Sequence, residues 1–138
     1  MHQFPDIRTA LFAALEHLKV KPAIRNTAQL SGPGFALKRW VIRHSGAQQL
    51  RVALQIRDLP HNAALLGACD FRGANYRALM QAWLAALPQP GGLLFCHPGT
   101  VPVGRATDPV RAARQCEFAY LGSEDFIQDL ASANVTPA

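Results

Sequence analysis

Phe95-Cys96-His97-Pro98-Gly99 places an imidazole at the end of an apolar run and forces a turn directly behind it. Imidazole titrates near neutral pH, so a histidine in that position could act as base, acid or ligand. Gly92 to Cys96 has the pattern of a short buried strand, bounded by Pro88, Pro90 and Gly91 before it and by Pro98 and Gly99 after it. Proline removes a donor and turns its predecessor away from helix, so the strand is expected to stop at His97. Ligands of open α/β sheets and of α/β barrels lie beyond the carboxyl ends of the strands, which is where His97 would stand. A core histidine bonded to backbone fits the same residues, and both readings stay open. Cys96 is a poor nucleophile for His97, because neighbouring strand residues point to opposite faces.

Helices and strands must hold such a residue in place. A first helix is expected over about Asp6 to Leu18, with Ile7, Leu11, Leu15 and Leu18 on its inner face. Pro22 to Asn26 suggests a short strand ending in polar residues, and Phe35 to Ser45 a second helix with Leu37, Trp40 and Val41 as core contacts. Leu50 to Ile56 alternates as a strand does, whereas residues 58 to 74 are punctuated by Pro60, Asn62, Gly67, Asp70 and Gly73 and look irregular. The clearest helix covers Asn75 to Leu87, with Tyr76, Leu79, Met80, Trp83, Leu84 and Leu87 on one stripe. Trp83 therefore belongs to a core, and Trp40 is equally suited to packing. Thr107 or Asp108 is expected to open a helix reaching Leu121, and Ser123 to cap a last one through Leu130. Arg114 and Glu117 lie three apart on that penultimate helix and are expected to pair. His17 and His44 have surface patterns, and His61 has no assigned part.

Helices alternating with short apolar strands give an α/β class with parallel strands, in one domain of 138 residues. Three or four strands are few for a parallel sheet, so the chain has the look of part of a larger sheet or barrel. A net charge of +5 comes from 14 Lys and Arg against 9 acids, scattered as at Lys38, Arg39 and Arg43 and again at Arg105, Arg111 and Arg114. Scattered charge without a recognition motif argues against nucleic-acid binding. Cysteines 69, 96 and 116 are odd in number and lack metal-site spacing, which excludes a disulfide framework and a zinc-thiolate centre. No apolar run could span a bilayer and the N-terminus has no export signal, so a cytoplasmic protein is expected.

From Asn62 to Val135 the sequence resembles the C-terminal half of the YdjC-like carbohydrate deacetylases, which include chitooligosaccharide and hopanoid-associated deacetylases. The resemblance rests on Asn62 and Gly67, Asp70-Phe71, Tyr76 with Trp83-Leu84, Cys96-His97-Pro98-Gly99, Asp108, Arg114-x-x-Glu117, and Tyr120-Leu121 with Ser123. It extends backward, since His2-Gln3-Phe4-Pro5 is similar to the end of the family's His-x-His-x-x-Pro segment.

The resemblance implies an irregular, partial (β/α) barrel and an amide hydrolase acting on N-acetylated sugars or glycolipids with a divalent metal, Mg or Zn. It implies His2 as a metal ligand, and His97 and Arg25 as catalytic residues. His97 would protonate the leaving amine or stabilise the oxyanion, and Arg25 would bind substrate oxygens. The family's Asp-Asp motif and its other metal-binding histidine are not found in these 138 residues. The expectations are therefore that Met1 is an internal codon of a longer product, that metal binding is weak or absent, and that the chain alone is inactive. The alternative is a non-catalytic half-barrel serving in assembly or sugar binding, in which Trp40 or Trp83 would stack on a sugar ring. Exposed strand edges lead to the expectation of a homo-oligomer.

Overall fold

The computed structural model describes residues 3–72, 75–100 and 108–137. Helix α1 (Pro5–Glu16) begins with proline in its first turn, where a missing N–H costs nothing. Phe12 and Leu15 are its buried residues; Ile7 and Leu18, expected inside, are each 47% exposed. Helix α2 (Ala36–Ile42) has no buried residue, and Leu37, Trp40 and Val41 lie on the surface rather than in the core. Lys38 of α2, itself exposed, reaches across so that its ammonium donates to the carbonyl of Cys69 at 2.7 Å.

A kink at Ser45 and Gly46 leads from α2 into α3 (Gln48–Ile56), which occupies the segment expected to be a strand. Leu50, Val52, Leu54 and Ile56 do alternate, but only Leu50 and Leu54 are buried, four residues apart, while Val52 and Ile56 face water. The inward set Ala47, Leu50 and Leu54 has the spacing of a helix.

Strand β1 (Ala64–Leu66) lies inside the stretch expected to be irregular. It pairs in parallel with β2 (Gly92–Leu94), matching Ala64 to Gly92 and Leu66 to Leu94, and α4 (Tyr76–Ala86) crosses between them. On the other edge of β1 the segment around residues 24–31 runs parallel through the bridges Ile24 to His61 and Leu30 to Leu65. The parallel α/β expectation holds, with the Pro22–Asn26 strand reduced to one bridge. Among the described residues the named strands form a two-stranded sheet, so a closed barrel is not seen there.

Asn62 joins these layers. Its amide accepts the N–H of Asn26 at 2.7 Å and donates to the carbonyls of Asn26 and Ala64 at 3.0 and 2.9 Å. His61 is part of this junction, its Nδ1 donating to the carbonyl of Leu59 at 2.8 Å. Two apolar clusters follow, Phe12, Leu15, Ile24, Leu50, Leu54 and Leu59 in one, and Ala64, Leu66, Met80, Trp83, Leu84 and Tyr120 prominent in the other.

Helices α5 (Arg111–Leu121) and α6 (Glu124–Ser132) complete the chain. Ser123 does not cap α6, because its hydroxyl donates back to the carbonyl of Tyr120 at 2.7 Å. Buried Asp129 ties α4, α5 and α6 together by accepting from Arg77 Nε and Nη2, Gln81 Nε2 and the Tyr120 hydroxyl at 2.9, 3.1, 2.9 and 2.8 Å. These donors hold its carboxyl at about 2, below an ordinary 3.8, with the Arg77 bond the largest cause. The unfolded chain therefore takes up the proton first as pH falls. The stability from this carboxylate is complete above about pH 4 and is lost towards pH 2. Asp129→Asn is expected to melt lower at neutral pH and to flatten the decline in Tm between those pH values, as read by thermal melts across that window.

Candidate active site around His97

Strands β1 and β2 run in the same direction, so their carboxyl ends open on one side, where Phe71 and His97 meet. The last sheet bond runs from the N–H of Phe95 to the carbonyl of Leu66 at 3.1 Å, two residues short of His97. β2 is half-buried rather than fully covered, with Leu93 partly exposed. Gly67 follows β1 at φ +112°, and its missing Cβ lets the Phe95 backbone approach. The rings of Phe71 and Phe95 then meet the imidazole edge-on, with centroids 5.0 and 5.1 Å away.

Within this aromatic seat His97 Nδ1 is buried and, among the described residues, has no hydrogen-bond partner. Native folds seldom leave such a group unpaired without a reason in ligand binding or chemistry. The His97 pKa is lowered, chiefly by burial, which disfavours the imidazolium; Glu117 opposes that, and Lys38, Arg114 and Arg25 add to it. At neutral pH the ring is therefore mostly uncharged.

Arg25, at the polar end of the 24–26 segment, has its guanidinium carbon 5.9 Å from the Phe95 ring centre. It thus shares the Phe95 wall with His97. Lys38 lies against the other ring, 4.9 Å from the centre of Phe71. Cys96 faces away from the imidazole towards the core beneath, where burial pushes its thiol pKa up and makes a thiolate nucleophile unfavourable.

The expected pairing of Arg114 with Glu117 does not form. Arg114 pairs instead with Asp108 at 3.6 Å, and Asp108 also accepts the N–H of Val110 at 3.0 Å. Glu117, 1% exposed, accepts the backbone N–H of His97 at 2.6 Å. Its place on the stripe Ala113, Glu117, Tyr120, spaced four and three apart, was the signal that the carboxylate points inward. His2 lies outside the described residues, as do Met1 and Thr107.

A family model described as YdjC-like protein matches residues 1–132. The chain belongs to the YdjC-like family. No curated protein and no solved structure matches it. For a YdjC-like protein the function at family level is of carbohydrate deacetylase type, and the family is generally metal-dependent. Among the described residues, however, no three His, Cys, Asp or Glu side chains lie close enough together to hold a metal ion. Those residues do not fit a metal centre. No helix among them is long and apolar enough to cross a membrane.

Proposed function

We propose that this chain, as one domain resembling the C-terminal half of the family barrel, carries part of the active site of a metal-dependent deacetylase of N-acetylated sugars or glycolipids. The observation that supports this reading best is His97 itself, with a buried and unpartnered ring nitrogen in a seat at the carboxyl ends of two parallel strands. His97 and Arg25 are the proposed catalytic residues, and His2 a ligand of the Mg or Zn ion.

Amide hydrolysis needs a proton for the departing amine and a donor for the carbonyl oxygen that becomes an oxyanion. A mostly neutral imidazole suits the second task better than the first, because its N–H donates without a prior protonation. The Phe71 and Phe95 rings limit water around it, which strengthens such a bond. Arg25 offers a planar set of fixed donors to sugar oxygens beside that seat.

Zinc-type catalytic sites usually take three protein ligands, so the chain alone is expected to bind metal weakly. No acetate should be released from N-acetylglucosamine oligomers by the isolated, metal-supplemented chain, as measured by an enzymatic acetate assay. Metal-dependent release abolished by His97→Ala would overturn that expectation of inactivity while upholding the deacetylase assignment. Release indifferent to both His97 and metal would remove the assignment.

A second reading, a cytoplasmic non-catalytic assembly or sugar-binding module, has its own observation in the surface placement of Leu37, Trp40 and Val41 on α2. Exposed apolar groups gathered on one short helix favour association. The same sample in light scattering decides whether it forms a homo-oligomer, and a monomer at working concentration would count against this reading.

A further inference from the structure

The turn that presents His97 is docked on one face of α5 by two hydrogen bonds. The N–H of His97 donates to Glu117 Oε2 at 2.6 Å, and the N–H of Gly99 donates to the backbone carbonyl of Arg114 at 3.1 Å. Pro98, between them, has no N–H to place. Arg114 and Glu117 are three residues apart on α5, and the backbone carbonyl of the first and the carboxylate of the second take the two N–H groups that flank Pro98. Gly99 fits closely here: a Cβ on it would lie 2.9 Å from Arg114 Nε.

A buried carboxylate is an expensive way to hold a turn. A carbonyl or an amide would accept the same N–H without taking a charge out of water. The difference between a carboxylate and an amide is felt by the titratable groups nearby: the His97 imidazole, whose protonation Glu117 favours, and Cys69, Cys96 and Tyr76, whose ionisation it opposes. Among the described residues, the other charged side chains that bear most on the ring are cationic: Lys38 from α2, Arg114 from α5 itself, and Arg25 from the segment beside β1.

We propose that Glu117 is the positioning residue of this site: through the His97 N–H it fixes the turn that presents the imidazole, and through its negative charge it offsets the surrounding cations. The inference rests on the reading of His97 as the working histidine, but its test does not use deacetylation. In Glu117→Gln the side-chain carbonyl keeps an acceptor for the His97 N–H and removes only the charge. In Glu117→Leu both are removed.

The experiment is an NMR pH titration of the His97 ring in the full chain, wild type against Glu117→Gln, with the His97 backbone amide followed in parallel. The His97 midpoint should fall by about 0.5 in pH or more in Glu117→Gln, as expected when a nearby opposite charge is lost. An unchanged midpoint in a folded Glu117→Gln overturns the proposal, since a purely structural acceptor would be fully replaced by glutamine. Should the variants not fold, wild type alone decides. A His97 amide proton shifted downfield and slow to exchange supports the proposal, and one with random-coil shift and fast exchange overturns it. A lowered midpoint together with absent acetate release would uphold the positioning role while the deacetylase reading fell.

Discussion

Gly67→Ala should destabilise the protein by about 3 kcal/mol or more, summing a strained positive φ with overpacking of a close backbone contact. The residue has φ +112°, and a Cβ added there would overlap the carbonyl oxygen of Phe95, with the Phe95 ring carbon Cδ1 at 3.0 Å. A flexible side chain could move out of the way, but this neighbour is the backbone of the residue whose N–H closes the sheet on Leu66. Accommodating the methyl group must therefore part β1 from the end of β2. The same shift carries away the Phe95 ring on which His97 rests. Gly34→Ala serves as the control, since Gly34 also has positive φ, +65°, but nothing within 4 Å of an added Cβ. It should cost about 1 kcal/mol, the backbone penalty alone. Urea unfolding of the two variants checks both figures, and a Gly67→Ala midpoint no lower than that of Gly34→Ala would show that the close approach to Phe95 is not real.

Much of this arrangement was legible in the residues, and the failures have physical causes. Helix α4 was readable because Tyr76, Met80, Trp83 and Leu84 repeat at a helical period and are the buried residues of that helix. The turn at His97 was readable because proline and glycine act locally, whatever the rest of the chain does. Strand β1 was not. Ala64-Leu65-Leu66 has no β-branched residue, and its extended form depends on partners more than 25 residues away in either direction, at Gln29 and at Gly91 to Leu94. The strand expected at Leu50 to Ile56 failed for the opposite reason. Its alternation was real in the sequence, but two of the four apolar residues were never buried. At the candidate site, the reach of Lys38 and Arg25 towards the two phenylalanine rings follows from tertiary packing, which spacing along the chain does not encode. Glu117 is different, because an acidic residue on an otherwise inward stripe was visible and its pairing with Arg114 looked sufficient to explain it.

Trp83→Ala should cost about 3–5 kcal/mol, a large share of the 5–15 kcal/mol that holds a domain together. Trp83 is 1% exposed, meets Tyr76 edge-on with ring centres 6.0 Å apart, and approaches Gly32 so closely that a Cβ there would touch its Cδ1 at 3.0 Å. The walls around the ring are β1, the loop at Gly32 and α4, whose positions are set by backbone hydrogen bonds. The cavity can therefore collapse only a little, which puts the cost towards the upper end of the range. The indole also carries a penalty, since its Nε1 is buried and has no hydrogen-bond partner among the described residues. Trp83→Phe removes that unsatisfied donor along with part of the ring, so the two effects oppose each other. It should cost less than half as much as Trp83→Ala. Chemical denaturation of both variants gives the ratio. The ordering separates a core residue from a sugar platform, because a tryptophan kept for stacking on substrate would be lost from binding with little effect on stability. Wild-type stability in Trp83→Ala would therefore overturn the packing described for this core and return Trp83 to the candidates for sugar binding.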